Sequence, residues 1–184
     1  MDQEEERQAV LDVKAGAVDR FAFLVDAHKG ALFNLAWRMT GSRSDAEDLV
    51  QEIFVRAFRN LGSFDSEKRF FPWLYTIGIN LIRSRLKSVS KRRRVLQDQE
   101  KEGSQEASPE DAFLEKERAD QVQAALLKLN TGQREALLLR YSQGLTYDEI
   151  AVILRISNSA AKMRAARGLD RLRSILPETL LDKG

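Results

Sequence analysis

A chain of 184 residues with 43% hydrophobic content is long enough for two small domains or one medium one, and it excludes disorder throughout. Leu, Ala, Arg, Glu, Lys and Gln are abundant and only three prolines and ten glycines interrupt them, which favours helix over strand. The absence of cysteine and the single histidine exclude a disulfide framework, a thiolate metal site and most imidazole sites, while a formal net charge of +2 identifies no partner.

The leader, Met1 to Glu6, is acidic where a signal peptide would be basic and then apolar, and no apolar run of roughly 18 residues follows. A soluble, unexported, cytoplasmic protein with no membrane insertion is expected. The first helix carries Val18, Phe21, Ala22, Val25, His28, Leu32, Leu35, Ala36 and Met39 at helical spacing. His28 lies on that inner face with no Ser, Cys or metal cluster beside it, so packing is the favoured role. Thr40 to Arg43 breaks the helix, and Ser44 with Glu47 three residues on has the form of a capping box that starts the next. Its apolar face is Ala46, Leu49, Val50, Ile53, Phe54, Ala57, Phe58 and Leu61, which leaves Glu47, Asp48, Gln51, Glu52, Arg56 and Arg59 outside.

Leu61 to Lys68 has the glycine and serine chemistry of a loop, and Pro72 falls in the first turn of a third helix. That helix passes from Phe71, Trp73 and Tyr75 into seven basic residues, Arg83, Arg85, Lys87, Lys91, Arg92, Arg93 and Arg94, with no acidic residue among them. Aromatics and cations thus share one element, suited to a polyanion. From 95 to 114 the apolar periodicity gives way to Gln, Glu, Ser, Gly and Pro, the composition of a flexible acidic linker.

In the second block Ala119, Val122, Ala125, Leu126 and Leu129 predict one helix, and Thr131 caps a helix built on Ala136, Leu137, Leu138 and Tyr141. After Ser142 to Gly144, Thr146 with Glu149 is a further capping box, opening a helix with Ile150, Ala151, Ile153 and Leu154. A tight turn at Arg155 to Ser157 leads into a last helix where Lys162, Arg164, Arg167, Arg171 and Arg173 face only Asp170. A short helix, a short turn and a cationic helix are the parts that place a recognition helix in a major groove. On these features alone an ordinary helix-turn-helix repressor and a protein-binding helical adaptor stay open. The acidic Asp48 to Glu52 face together with the aromatic-basic helix is the feature a repressor does not need.

Several strings are similar to bacterial sigma factors of the extracytoplasmic-function family. Leu35 to Gly41, Ala46 to Glu52 with Phe54, Arg56 and Ala57, and Phe71 to Ile77 with Asn80 resemble the family's region two. Arg134 to Tyr141, Gly144 to Ala151, and Lys162 to Arg164 with Arg167, Arg171, Leu172 and Arg173 resemble region four. The resemblance implies an all-α protein of two small domains, region two over 1–94 and region four with its helix-turn-helix over 115–184, joined by the linker at 95–114.

It further implies a non-enzymatic initiation factor that binds core RNA polymerase and promoter DNA and opens the DNA, under control of an anti-sigma factor, with no catalytic residue, metal, cofactor or small-molecule substrate. Glu47, Asp48, Gln51, Glu52 and Arg56 resemble the face that docks on polymerase. Phe64, Lys68, Arg69, Phe71, Trp73, Asn80 and Arg83 correspond to the part that engages the minus-ten element, where aromatics beside cations suit capture of an unstacked base. Ser157, Asn158, Ser159, Lys162, Arg164, Arg167 and Arg171 correspond to the reader of the minus-thirty-five element. The acidic linker resembles the segment that threads toward the polymerase active centre. The chain departs from the family's pattern at Arg155, where glycine is usual, at Ala160 and Ala161 in place of a threonine-valine pair, and at Met163, Thr76 and Asn130 with Thr131.

Overall fold

The computed structural model describes residues 3–95 and 110–177, and every regular element among them is helical. The first helix, α1 (Gln3–Lys14), begins in the acidic leader and precedes the first helix that the apolar spacing predicts. Three charged residues in its first turn hide the signal, yet Ala9, Val10 and Val13 share one face and are buried against the rest of the domain. A single turn of 3-10 helix at Val18–Arg20 separates α1 from α2 (Phe21–Thr40), so the expected helix from Val18 starts three residues later and leaves Val18 exposed.

Gly41 ends α2 in the left-handed conformation, φ 75°, and its N–H donates to the Trp37 carbonyl over 2.7 Å. α3 (Arg43–Asn60) begins two residues earlier than expected. Ser42, not Ser44, is its N-cap, accepting from the Asp45 N–H over 3.2 Å. Thr40, Ser42 and Ser44 alternate along this turn; Thr40 donates its hydroxyl to the Ala36 carbonyl, and Ser42 takes the cap. α4 (Phe70–Val95) places Pro72 in its first turn as expected and runs to the end of the described first segment. Leu24, Leu32, Leu35 and Met39 of α2 meet Leu49 and Ile53 of α3 and Leu74, Tyr75, Ile79 and Ile82 of α4 in a fully buried core. Each such aliphatic side chain contributes roughly 1.5–3 kcal/mol by leaving water.

α5 (Glu110–Leu127) starts inside the span expected to be linker, and residues 96–109 lie outside the described residues. α6 (Thr131–Leu137) is capped by Asn130 rather than Thr131, through its side-chain oxygen and the Gln133 N–H at 2.9 Å. α6 continues into one π turn at Leu138–Ser142, where the Gln143 N–H reaches back to the Leu138 carbonyl. The wider turn rotates the face by part of a turn, so Leu139 is buried and Tyr141, read as core from a 3.6-residue period, is 57% exposed.

α7 (Tyr147–Leu154) and α8 (Asn158–Ile175) form the expected helix-turn-helix. Thr146 and Glu149 make the reciprocal capping box, and Ser157 caps α8. α8 crosses α6 at Gly168, where a Cβ would stand 3.1 Å from the Gln133 carbonyl oxygen and would press the two helices apart by a few tenths of an ångström.

The two halves pack side by side, α4 against α7 and α2 against α5, and their apolar residues join into one continuous core. Arg134, at the start of α6, is buried and donates to the carbonyls of Met39 at the end of α2 and of Leu127 and Leu129 at the end of α5. Burial lowers its guanidinium below the ordinary arginine value, and neighbouring Glu135 partly opposes this.

Candidate nucleic-acid interface

Three surfaces carry the residues singled out from sequence. The first is the outer face of α3. Ala46, Leu49, Ile53 and Ala57 point into the core, so the helical period turns Glu47, Asp48, Gln51 and Arg56 to solvent and leaves Glu52 half-buried. Arg56 Nε donates to Glu52 Oε1 over 3.0 Å, and Arg43 lies 3.7 Å from Glu47, both at i,i+4 spacing. These exposed pairs hold the face in one arrangement without adding much stability. Arg85 of α4 donates to Asp45 over 2.8 Å, tying the start of α3 to the basic block.

The second surface runs along α4. Arg69, just before the helix, then Trp73, Thr76, Asn80, Arg83 and Lys87 recur at three and four residues, which puts them on one stripe. Trp73 is half-buried, its ring 4.8 Å from Phe64 and 5.5 Å from Phe70. Phe64 itself is 5% exposed and acts as the floor under Trp73. Phe71 is not on the stripe. It turns toward Tyr75 at 4.1 Å and His28 at 5.5 Å. His28 in turn bonds Glu6 of α1 over 2.7 Å, so the histidine packs and pairs within the domain, as expected. Lys68 is exposed beside the stripe.

Both arginines of the stripe are taken by the other half of the chain. Arg83 Nε and Nη2 donate to the two oxygens of Glu135 over 2.6 Å each, a bidentate pair that raises the guanidinium above its ordinary value against the opposing effect of partial burial. Arg69 pairs with Glu149 at the start of α7. Between them Tyr75 donates its hydroxyl to Gln143 over 2.8 Å, and burial raises that hydroxyl above the usual phenol range, keeping it a neutral donor. A cleft of about 550 Å³ is lined by Phe64, Lys68, Arg69 and Trp73 on one side and by Asp148, Glu149 and Val152 of α7 on the other.

The third surface is α8. Ser159, Lys162, Arg167 and Arg171 are exposed, and Arg164 is half-buried against Gly132. Ser157 spends its hydroxyl on the Ala160 N–H at 3.1 Å, and Asn158 donates to Asp148 over 2.6 Å, so neither side chain is free to read a base in this arrangement. Tyr147 is a residue the sequence reading missed. Arg140 and Lys162 lie over its ring at 5.0 and 5.9 Å, fixing the helix-turn-helix against the π turn. The ion-pair roles of Glu135 and Glu149 were missed as well, because their partners lie 52 and 80 residues away and leave no local pattern.

Among the described residues no group of His, Cys, Asp or Glu is arranged to hold a metal, and no helix is long and apolar enough to cross a membrane. The family model for sigma-70 region 2 matches residues 24–93, and that for sigma-70 region 4 matches residues 119–172. The ECF RNA polymerase sigma factor SigW of Bacillus subtilis is 34% identical over 181 residues, covering 92% of this chain and 96% of its own. The RNA polymerase sigma-H factor of Pseudomonas aeruginosa is 30% identical and covers 97% of both chains. Among solved structures, CnrH of Cupriavidus metallidurans, in complex with the cytosolic domain of CnrY, superposes with a TM-score of 0.71 at 28% identity over 92% of this chain and 96% of that one.

Proposed function

The chain belongs to the extracytoplasmic-function sigma factors of RNA polymerase, non-enzymatic initiation factors of the sigma-70 family, and from that membership we propose which of its surfaces does what. Residues 1–94 dock on polymerase and open the DNA, and the second domain, which begins with α5 at Glu110, reads the upstream element. The α3 face, Glu47, Asp48, Gln51, Glu52 and Arg56, meets the polymerase. Its support is an exposed, acidic, side-chain-paired helix face built on a buried apolar underside.

The α4 stripe, with Lys68, Arg69, Trp73, Asn80 and Arg83, engages the minus-ten strand. Trp73 offers a half-buried ring on a firm aromatic floor, and stacking one unstacked base on such a ring contributes roughly 1–3 kcal/mol toward melting. Phe64 and Phe71 support that ring and the helix rather than meeting the base directly. On α8, Ser159, Lys162, Arg167 and Arg171 meet minus-thirty-five DNA, with Arg164 at the edge and Ser157 and Asn158 fixing the helix start.

A cytoplasmic location follows from that work, and an anti-sigma partner is part of the same reading. Its support is family membership and the capture of CnrH with a protein partner. Finding the protein wholly on polymerase in unstimulated cells would rule the partner out. The observation that carries the functional reading is the presence of both surfaces, acidic α3 face and aromatic-cationic α4 stripe, in one domain. Run-off transcription with purified core polymerase on a promoter library tests it. Promoter-selective transcripts that require the protein are the expected result, and their absence overturns it.

A further inference from the structure

Two of the cations assigned to minus-ten DNA, Arg69 and Arg83, are neutralised by carboxylates from the other half of the chain. Arg69 and Arg83 sit 14 positions apart on the α4 stripe, roughly 21 Å along a helix. Glu149 covers the first and Glu135 the second, and Tyr75 to Gln143 adds a polar contact between them. The cleft beside Trp73 is walled by Asp148 and Glu149, so a strand entering it would bring its phosphates against two carboxylates. The α7 end of the second domain therefore occupies the strand's place in both shape and charge.

The same packing is incompatible with reading two promoter elements at once. Elements centred near minus ten and minus thirty-five lie about 25 base pairs apart, roughly 85 Å at 3.4 Å per pair, while the two halves here share one continuous core.

We propose that Glu135 and Glu149 form a carboxylate clasp that holds the second domain over the α4 stripe in the free protein, and that separation of the domains releases Arg69 and Arg83 for DNA. The inference rests on the minus-ten reading of that stripe. The clasp is reversible by its chemistry. Glu135 is only 1% exposed, so closure strips its hydration and the bidentate Arg83 bond offsets that cost with little surplus. The Arg69 to Glu149 pair is half-open to solvent and weakens as salt rises. Free protein thereby refuses single-stranded minus-ten DNA, and a partner that prefers separated domains restores binding.

The test uses the full chain. Because it has no cysteine, Val55→Cys in α3 and Met163→Cys in α8, both exposed, take a donor and acceptor dye that report domain separation. The clasp variant is Glu135→Gln with Glu149→Gln. Glutamine keeps the shape at both sites and still completes the α7 capping box. The expected result is a larger dye separation, and in the undyed variant about tenfold or more tighter binding of a fluorescent single-stranded minus-ten oligonucleotide, the gain that follows when a mostly closed population opens.

Unchanged dye separation overturns the clasp. Separation without tighter binding overturns the masking, and Arg69→Ala with Arg83→Ala in the polymerase holoenzyme then tells the two failures apart. Undiminished open-complex formation by that variant means the minus-ten reading itself was wrong. Diminished formation leaves the reading standing and removes only the clasp.

Discussion

Arg155 is the one described non-glycine residue with a positive φ, at 55°, and it caps α7 at the turn into α8. An L side chain in the left-handed region crowds its own carbonyl, at roughly 1–2 kcal/mol, and glycine escapes that cost while losing some entropy in the unfolded chain. Arg155→Gly should therefore raise stability by about 0.5–1 kcal/mol, read as a shift of the urea midpoint at constant slope. A decrease would mean the guanidinium makes a contact worth more than the strain. Arg134 is the opposite case. Three carbonyls from two helix ends depend on its fork, so Arg134→Met should cost about 2–4 kcal/mol by leaving buried acceptors unpaired. Arg134→Lys should not restore it, since one ammonium cannot reach acceptors that a planar fork spans. Residue roles were legible where chemistry is local, as in the capping box of Thr146 and Glu149. They were not where alternatives sat side by side, as at Ser42 against Ser44.

At the scale of elements, the α3 face and α8 make separable predictions. Asp48→Lys with Glu52→Lys reverses the charge of the proposed polymerase face while its apolar underside is untouched. The helix loses only the Glu52 to Arg56 pair and gains a like-charge neighbour, about 0.2–0.5 kcal/mol. Polymerase binding should vanish while helical circular dichroism is kept; binding that survives would place the docking face elsewhere. On α8, Arg167 is exposed and Arg164 half-buried against Gly132. Arg167→Ala should leave stability unchanged and lower the salt slope of upstream-element binding by about one, the value for a single lost phosphate contact. Arg164→Ala should lower stability as well, through lost packing, and an unchanged slope in both would take these arginines off the backbone. Periodicity found α2, α3, α4 and the helix-turn-helix because their apolar stripes are long and regular. It missed α1, whose stripe is three residues in an acidic segment, and it misplaced Tyr141 because a π turn breaks the period being counted.

For the molecule as a whole, the division into two helical halves was legible and their packing was not. A composition shift marks a boundary, whereas Arg83 to Glu135, Gln123 to the Trp37 carbonyl and Leu127 beneath Gly41 join positions far apart in sequence, which no local pattern encodes. Those contacts make the halves one thermodynamic unit. Two domains on a slack tether would melt independently, each with its own midpoint. Here the core is continuous, and Arg134 draws on helix ends from both halves, so loss of either half strips partners from the other. Calorimetry of the full chain at low salt should show one transition whose van't Hoff enthalpy matches the calorimetric value, the signature of cooperative unfolding. Two resolved transitions would mean that the contacts between halves are too weak to couple them. In that case the exposed, cationic stripe of α4 would stand open in the free protein, and nothing within the chain would hold it back from DNA.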